Sequence, residues 1–246
     1  KDKTPDLKYI LAATRCVAQL ISDQSYVIYE STVYPGLTEE ICLPILSDIS
    51  GLTLNKDFYL GYSPERINPG DKNKTINDIV KVVSGSCEKA TDYINDLYSS
   101  VIDAGTFKAT SIKVAEAAKV IENIQRDVNI SLVNELSKIF SKIGIDTQDV
   151  INTSATKWNF HKYKPGLVGG HCIGVDPYYL KYKANQLGIN TLIIDSGRST
   201  NDSMAKYIAN NLVKKLFAIN SKSKGLKVLI LGATFKENCT DIRNSK

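Results

Sequence analysis

Histidine is almost absent from this chain of 246 residues: His161 and His171 are the only two, so a histidine-rich metal site is excluded by supply. Cysteine is sparse as well. The five cysteines are odd in number and contain no C-x-x-C pair, which gives neither a disulfide framework nor a zinc-site spacing and fits a reducing compartment. No apolar run reaches the ~18 residues needed to span a bilayer, and the opening KDKTPDL lacks the apolar core of a signal peptide, so the chain reads as cytoplasmic with no membrane partner. Missing too is G-x-G-x-x-G, the fingerprint with which a dinucleotide fold seats a pyrophosphate on its first helix. There is no internal repeat and no low-complexity tract. The charge imbalance is small, +5 from 31 basic against 26 acidic residues. Its one concentration, Lys206 to Lys227, reads as a solvated helix end and linker, which leaves no case for nucleic acid. A modest positive balance also suits an anionic, diphosphate-bearing ligand.

What the chain does hold is alternation. An apolar-periodic run from Leu7 to Ile21 predicts a helix, and Tyr26 to Tyr29 a buried strand. A helix over Gly36 to Ile49, a strand at Phe58 to Tyr62, another at Ile79 to Gly85 and a helix at Cys87 to Val101 follow. Strands alternating with helices of this length predict α/β architecture: a parallel sheet with crossover helices, half of a doubly wound domain. From Ser111 to Lys142 one helical pattern runs without Pro or Gly, almost ~50 Å at 1.5 Å per residue, long enough to join two domains and meet a second subunit. Gly144 ends it. Shorter helices at Asp146 to Asn152, Pro177 to Leu187 and Ser199 to Asn220 make a helical middle domain. Ser221 to Gly225 reads as a linker and Lys227 to Leu231 as the first strand of a final α/β domain. The expected domains are thus 1–110, 111–221 and 222–246.

The stretch Lys164 to Leu180, KPGLVGGHCIGVDPYYL, is the most chemically loaded part. Gly166, Gly169 and Gly170 bring a side-chain-poor backbone up to His171 and Cys172, with Asp176 four residues beyond the cysteine. Cys16, Cys42, Cys87 and Cys239 sit in ordinary contexts and are assigned no role. Lys119 and Asn123, four apart, share one face of the long helix; on spacing alone they read as an exposed polar pair.

This loop resembles the active-site loop of the nucleotide-sugar 6-dehydrogenases, the UDP-glucose/GDP-mannose dehydrogenase family, and its GGHCIGVDPYYL form is similar to the branch acting on UDP-N-acetylhexosamines in polysaccharide biosynthesis. Four further blocks agree in order: ESTVYPG at Glu30 to Gly36, GYSPERINPGD at Gly61 to Asp71, VAEAAKVIEN at Val114 to Asn123 and TFKENCTDIRNS at Thr234 to Ser245. The resemblance implies a Rossmann-like NAD-binding part at 1–110, a central dimerisation domain carrying the cysteine at 111–221, and the start of a Rossmann-like UDP-sugar-binding domain at 222–246. It also implies a central fragment of a longer chain, the pyrophosphate fingerprint lying before Lys1.

By the same resemblance NAD is the cofactor, a UDP-sugar the substrate, and the protein a homodimer through helix 111–142. Cys172 is the nucleophile; Lys119 and Asn123 stabilise the oxygen at the reacting carbon; Glu65 activates water, which Thr32 holds; Asp176 transfers protons or positions its neighbours. Ser31, Thr32, Val33, Cys172 and Arg243 fall on cofactor contacts. Glu65, Arg66, Lys119, Asn123, Gly166, Gly169, Gly170, Phe235 and Lys236 fall on substrate contacts. Two positions depart from the UDP-glucose enzymes: Pro69 replaces a second glutamate and Val175 a lysine. With His171, Tyr178 and Tyr179, the change at Val175 favours an N-acetylhexosamine over glucose. Trp158, Asn159 and Phe160 are expected to pack or shape the sugar pocket. The alternatives are a UDP-glucose or UDP-N-acetylmannosamine 6-dehydrogenase, a cysteine-dependent hydrolase or acyltransferase using Cys172 and His171, and, for this stretch alone, an inactive dimerisation core.

Overall fold

The computed structural model describes residues 3–67, 75–219 and 227–246, which divide into two compact units. The first comprises Lys1–Glu122 and Tyr178–Asn190, the second Asn123–Pro177 and Thr191–Lys246.

In the first unit α1 (Lys8–Ala18) leads to β1 (Ser25–Tyr29), and a π-helical stretch, Thr38–Cys42, continues as α2 (Leu43–Ser50). Pro44 stands in the first turn of α2 and has no N–H to give, so the widely spaced ladder hands over to the α register there. Then come β2 (Phe58–Tyr62), a 3-10 turn at Ile76–Asp78, β3 (Lys81–Gly85), α3 (Glu88–Ser99) and β4 (Thr106–Lys108). The strands lie in the order β1-β2-β3-β4. β1 and β2 pair in parallel, as do β3 and β4, each pair joined by a crossover helix.

The expectation of an all-parallel sheet fails at one joint, because β3 runs antiparallel to β2 through Gly61–Gly85 and Tyr62–Ser84. No crossover helix, the usual device for returning a chain to the parallel sense, occurs among the described residues between them. The pairing overlaps by two residues, so the start of β3 projects past the end of β2. Lys81 therefore stands at the edge where β1 and β2 finish. Phe58, Leu60 and Tyr62 are fully buried and pack with Leu37, Cys42, Leu46 and Ile112. Each such large side chain contributes roughly 1.5–3 kcal/mol of burial. β4 is too short and too exposed to have carried a clear alternating pattern.

α4 (Ile112–Ile143) begins in the first unit and ends in the second. The second unit adds α5 (Thr147–Ser154), the start of α6 (Asp176–Gln186) and α7 (Leu192–Ile219), which opens seven residues earlier than Ser199. The buried residues of α4 after its first turn include Glu116, Lys119, Asn123, Asp127, Ser131 and Asn134, spaced by three or four, while Val114, Ile121, Leu132 and Ile139 are exposed. The buried side thus mixes these polar groups with Ala115, Val120, Ile124 and Val133, and the exposed side mixes the apolar residues with charged ones such as Lys113 and Glu135. The buried polar groups toward the C-terminal half of α4 form a network: Asn134 donates to Asn201 (2.8 Å), Asn201 to the Asp127 carboxylate (2.7 Å), and Arg198 to the same carboxylate (2.7 Å). Burial pushes the Asp127 carboxyl up, against the pull of Arg198.

Lys227–Leu231, expected as a strand, forms no ladder: no described strand lies beside it, and Leu229, Ile230 and Leu231 are exposed. The linker expected at 221–225 and Pro69 lie outside the described residues. Among the described residues no helix is long and apolar enough to cross a membrane.

Candidate active site

In open α/β sheets ligands bind beyond the carboxyl ends of the strands. In the first unit that edge carries Glu30-Ser31-Thr32-Val33 after β1 and Ser63-Pro64-Glu65-Arg66 after β2. Val33 is anchored in the core, whereas Ser31 is exposed and Thr32 half-buried. All three line a pocket of about 520 Å3 with Tyr9, Ile10 and Thr14 of α1 and with Tyr179. Aromatic and aliphatic walls with hydroxyls at one side fit a flat heteroaromatic carboxamide, so these residues suit the nicotinamide end of NAD.

The segment after Val33 is held by α4. The fully buried Glu116 carboxylate accepts from the backbone N–H groups of Gly36 (2.5 Å) and Thr38 (3.0 Å). Burial pushes its carboxyl up, outweighing those hydrogen bonds. Glu65 and Arg66, adjacent in sequence, turn to different partners. One Glu65 carboxylate oxygen accepts from the backbone of Arg66 (2.7 Å) and Ile67 (2.6 Å), and the other lies 3.7 Å from the Lys81 ammonium. The Arg66 guanidinium pairs with Glu122 (2.7 Å) and donates to the Val80 carbonyl (2.9 Å). Lys119 is 8% exposed, which overturns its reading as a surface residue; Asn123, at 4%, does the same in the second unit.

In the second unit the cysteine loop is built from below. Asn134 of α4 brackets Gly166, donating to its carbonyl (2.9 Å) and accepting its N–H (2.8 Å). Gly170 has φ +83, and a Cβ there would stand 2.7 Å from the Phe235 ring; one on Gly169 would stand 2.8 Å from the Asn244 carbonyl. The pair is glycine because the 234–246 segment lies directly on it. Beyond Cys172 the chain turns into α6, with the Asp176 N–H donating to the Cys172 carbonyl (2.9 Å). Asp176 is buried and accepts from the Asn123 amide at 2.6 Å, while Arg126 donates to the other end of that amide (3.1 Å). Asn123 is thereby fixed in orientation. Cys172 itself is exposed.

Arg243, expected on the cofactor, engages Asp241 through two hydrogen bonds of 3.0 Å, and Asp241 also meets His171 at 3.0 Å. Those Arg243 bonds hold the Asp241 carboxyl well below the usual carboxylate range. Lys236 is half-buried, its carbonyl accepting from Thr234 (2.9 Å). Trp158 is 92% exposed and Phe160 39%. Sequence reasoning missed Lys81, Glu116, Arg126 and Asp241. Their only trace was a charged residue at a strand start, in a helical turn or beside a motif position, which is where solvated charges also occur.

The stretch 1–102 matches the family model described as UDP-glucose/GDP-mannose dehydrogenase family, NAD binding domain, and 113–203 matches the central domain of the same family. Over 246 residues the chain is 57% identical to Protein CapL of Staphylococcus aureus, covering 100% of this chain and 58% of that protein. It is 54% identical to the UDP-N-acetyl-D-glucosamine 6-dehydrogenase of Pseudomonas aeruginosa, with 99% of this chain and 58% of that one covered. The solved structure of a UDP-D-ManNAc dehydrogenase from Pyrococcus horikoshii superposes with a TM-score of 0.92 at 33% identity, over 100% of this chain and 58% of that chain. The chain therefore spans less than two thirds of the length of these relatives. Two matched domains of one family, in order along a shared fold, make this chain a member of the UDP-glucose/GDP-mannose dehydrogenase family.

Proposed function

We propose that the protein containing this chain oxidises the C6 hydroxyl of a UDP-N-acetylhexosamine to the carboxylate, using NAD and a covalent intermediate on Cys172. The observation that carries the reading is the buried Asn123–Asp176 hydrogen bond beside the turn that presents an exposed Cys172. An amide fixed by Arg126 and Asp176 is a preorganised donor for an oxygen that gains charge as the thiol adds to an aldehyde. NAD, when bound, takes the hydride at each of the two oxidations, alcohol to aldehyde and thiohemiacetal to thioester.

The chain's own residues do the rest. The Cys172 sulfur bonds to C6 of the aldehyde, so that the reactive carbonyl is never released. Lys119 supplies an ammonium, and Asn123 an amide N–H, to the oxygen on that carbon. Water held by Thr32 gives a proton to Glu65 and adds to the thioester carbonyl; the C–S bond breaks and the sulfur leaves as thiolate. Ser31, Thr32 and Val33 hold the nicotinamide end of the cofactor and Arg243 its pyrophosphate. Gly166, Gly169, Gly170, Arg66, Phe235 and Lys236 shape the substrate side. The matched ranges, 1–102 and 113–203, support assigning 1–110 to cofactor binding and 111–221 to the central domain; the assignment of 222–246 to the UDP-sugar domain rests on the motif resemblance of Thr234 to Ser245. The higher identity to the N-acetylglucosamine enzyme than to the mannosamine one supports UDP-N-acetylglucosamine as first substrate to try. The exposed Val114, Ile121, Leu132 and Ile139 support a homodimer through α4, and the five cysteines, odd in number and with no C-x-x-C pair, support a reducing, cytoplasmic setting.

The test is Cys172→Ala in the full-length enzyme, with UDP-N-acetylglucosamine, its galacto epimer and UDP-glucose as substrates. Uronate formation should fall by more than a hundredfold with the preferred sugar, and no sugar adduct should appear in the intact mass. An alanine variant that completes both oxidations at the wild-type rate overturns the covalent mechanism.

A further inference from the structure

The antiparallel entry of β3 buries a cation against the sheet edge that carries Glu65. Lys81, its first residue, is 4% exposed, and its ammonium lies 3.2 Å from a Glu30 carboxylate oxygen and 3.7 Å from Glu65. The same ammonium stands 5.0 Å from the centre of the Tyr98 ring, whose hydroxyl donates to Glu30 at 2.5 Å. Burial and the Glu30 carboxylate push that hydroxyl up, so it stays a donor. A lysine buried this deeply is uncommon unless something is gained by pairing it. Here it joins the ends of β1 and β2, one carboxylate from each.

We propose that Lys81 is a positioning residue for the thioester-releasing step, its ammonium fixing the Glu65 carboxylate for proton transfer from water; this rests on the role proposed above for Glu65. The carboxylate has two oxygens with different work. One is held by the Arg66 and Ile67 N–H groups, and the other faces the Lys81 ammonium at 3.7 Å, an ion-pair attraction that biases the orientation of a side chain otherwise 45% exposed. The Glu30 backbone adds to the brace, its carbonyl accepting the Glu65 N–H at 3.3 Å. The neighbouring cation, Arg66, is turned to Glu122 and cannot substitute without leaving it. Lys81 itself neither gains nor loses a proton in the step: the water proton goes to Glu65, hydroxide to the carbonyl carbon, and the C–S electron pair to sulfur.

The experiment uses the full-length enzyme with NAD and its UDP-sugar, comparing Lys81→Met, Lys81→Arg and Glu65→Gln. Lys81→Met keeps chain length and suits a buried strand position. It should lower kcat at least tenfold with both KM values unchanged, leave the first burst of NADH intact, and accumulate the sugar thioester in the intact mass. Lys81→Arg should restore most of kcat and abolish the accumulation. Should Lys81→Met not fold, Lys81→Gln takes its place with the same readouts. Wild-type turnover without accumulation in the Met or Gln variant, or equal loss of the burst, overturns the positioning role. Glu65→Gln separates the two ideas: if it fails to accumulate thioester, the reading of Glu65 is wrong; if it accumulates while Lys81→Met does not, only the inference on Lys81 falls.

Discussion

Removing the Glu116 side chain should loosen the segment after Val33, the proposed cofactor side, without unfolding the protein. Glu116 is fully buried and its carboxylate accepts from the N–H groups of Gly36 and Thr38, which follow the Ser31–Val33 segment. Each buried N–H left without a partner costs about 1–3 kcal/mol. Two of them, less the relief of no longer burying a carboxylate, give about 3 kcal/mol for Glu116→Ala. At ~1.4 kcal/mol per factor of ten, that speeds local opening roughly a hundredfold. The assay is hydrogen exchange by mass spectrometry on a peptide covering residues 34–40 of the full-length enzyme, with KM for NAD measured alongside. Unchanged exchange in Glu116→Ala refutes the idea that this carboxylate holds the loop. Glu116→Gln adds a pH test. Burial places the native carboxyl of Glu116 above its ordinary value. As pH rises from the ordinary value through the raised one, the native state keeps a proton that the unfolded state has released, so wild-type stability falls across that window. The glutamine variant carries no such proton, and its deficit against wild type should narrow as pH rises.

Two further outcomes follow from the glycine loop and the long helix. Gly170→Ala forces an L-residue into φ +83 and a methyl into the Phe235 ring, about 2–4 kcal/mol of strain and overpacking together. It should cut turnover and raise the alkylation rate of Cys172, whereas Gly166→Ala, with nothing within 4 Å of the added carbon, should leave the melting temperature unchanged. Leu132→Glu puts a charge in the middle of the exposed apolar stripe of α4. It should turn a dimer into monomers by light scattering while circular dichroism stays the same, and a dimer of wild-type affinity would remove that face from the interface.

The elements whose signal is local were legible in the sequence. α1, β1, β2, α3 and α4 fall within a few residues of expectation, because period and punctuation are properties of neighbouring residues. The direction of β3 was misread rather than hidden: no helix was expected between Tyr62 and Ile79, and a connection without a crossover helix favours the antiparallel return that is found. For the site, the motif residues were visible and their supports were not. Asn123 and Lys119 looked like a surface pair because a polar residue on a helix is usually solvated. Burial reversed that because partners arrive from far along the chain: Asp176 for Asn123, Arg198 and Asn201 for Asp127. Lys227–Leu231 failed in the opposite direction. Its pattern is that of a strand, but a ladder takes two strands.

Along α4 the buried polar positions should tolerate an apolar substitution worse than the exposed apolar positions tolerate a charge. A leucine at position 127 or 134, hydrophobic and of similar size, takes an acceptor from Arg198 or both braces from Gly166 and harms the molecule from within. A lysine at position 121 or 139 is neutral to the lone chain. A protein engineer who polished those outward isoleucines to raise solubility would leave the architecture alone and change what it keeps company with.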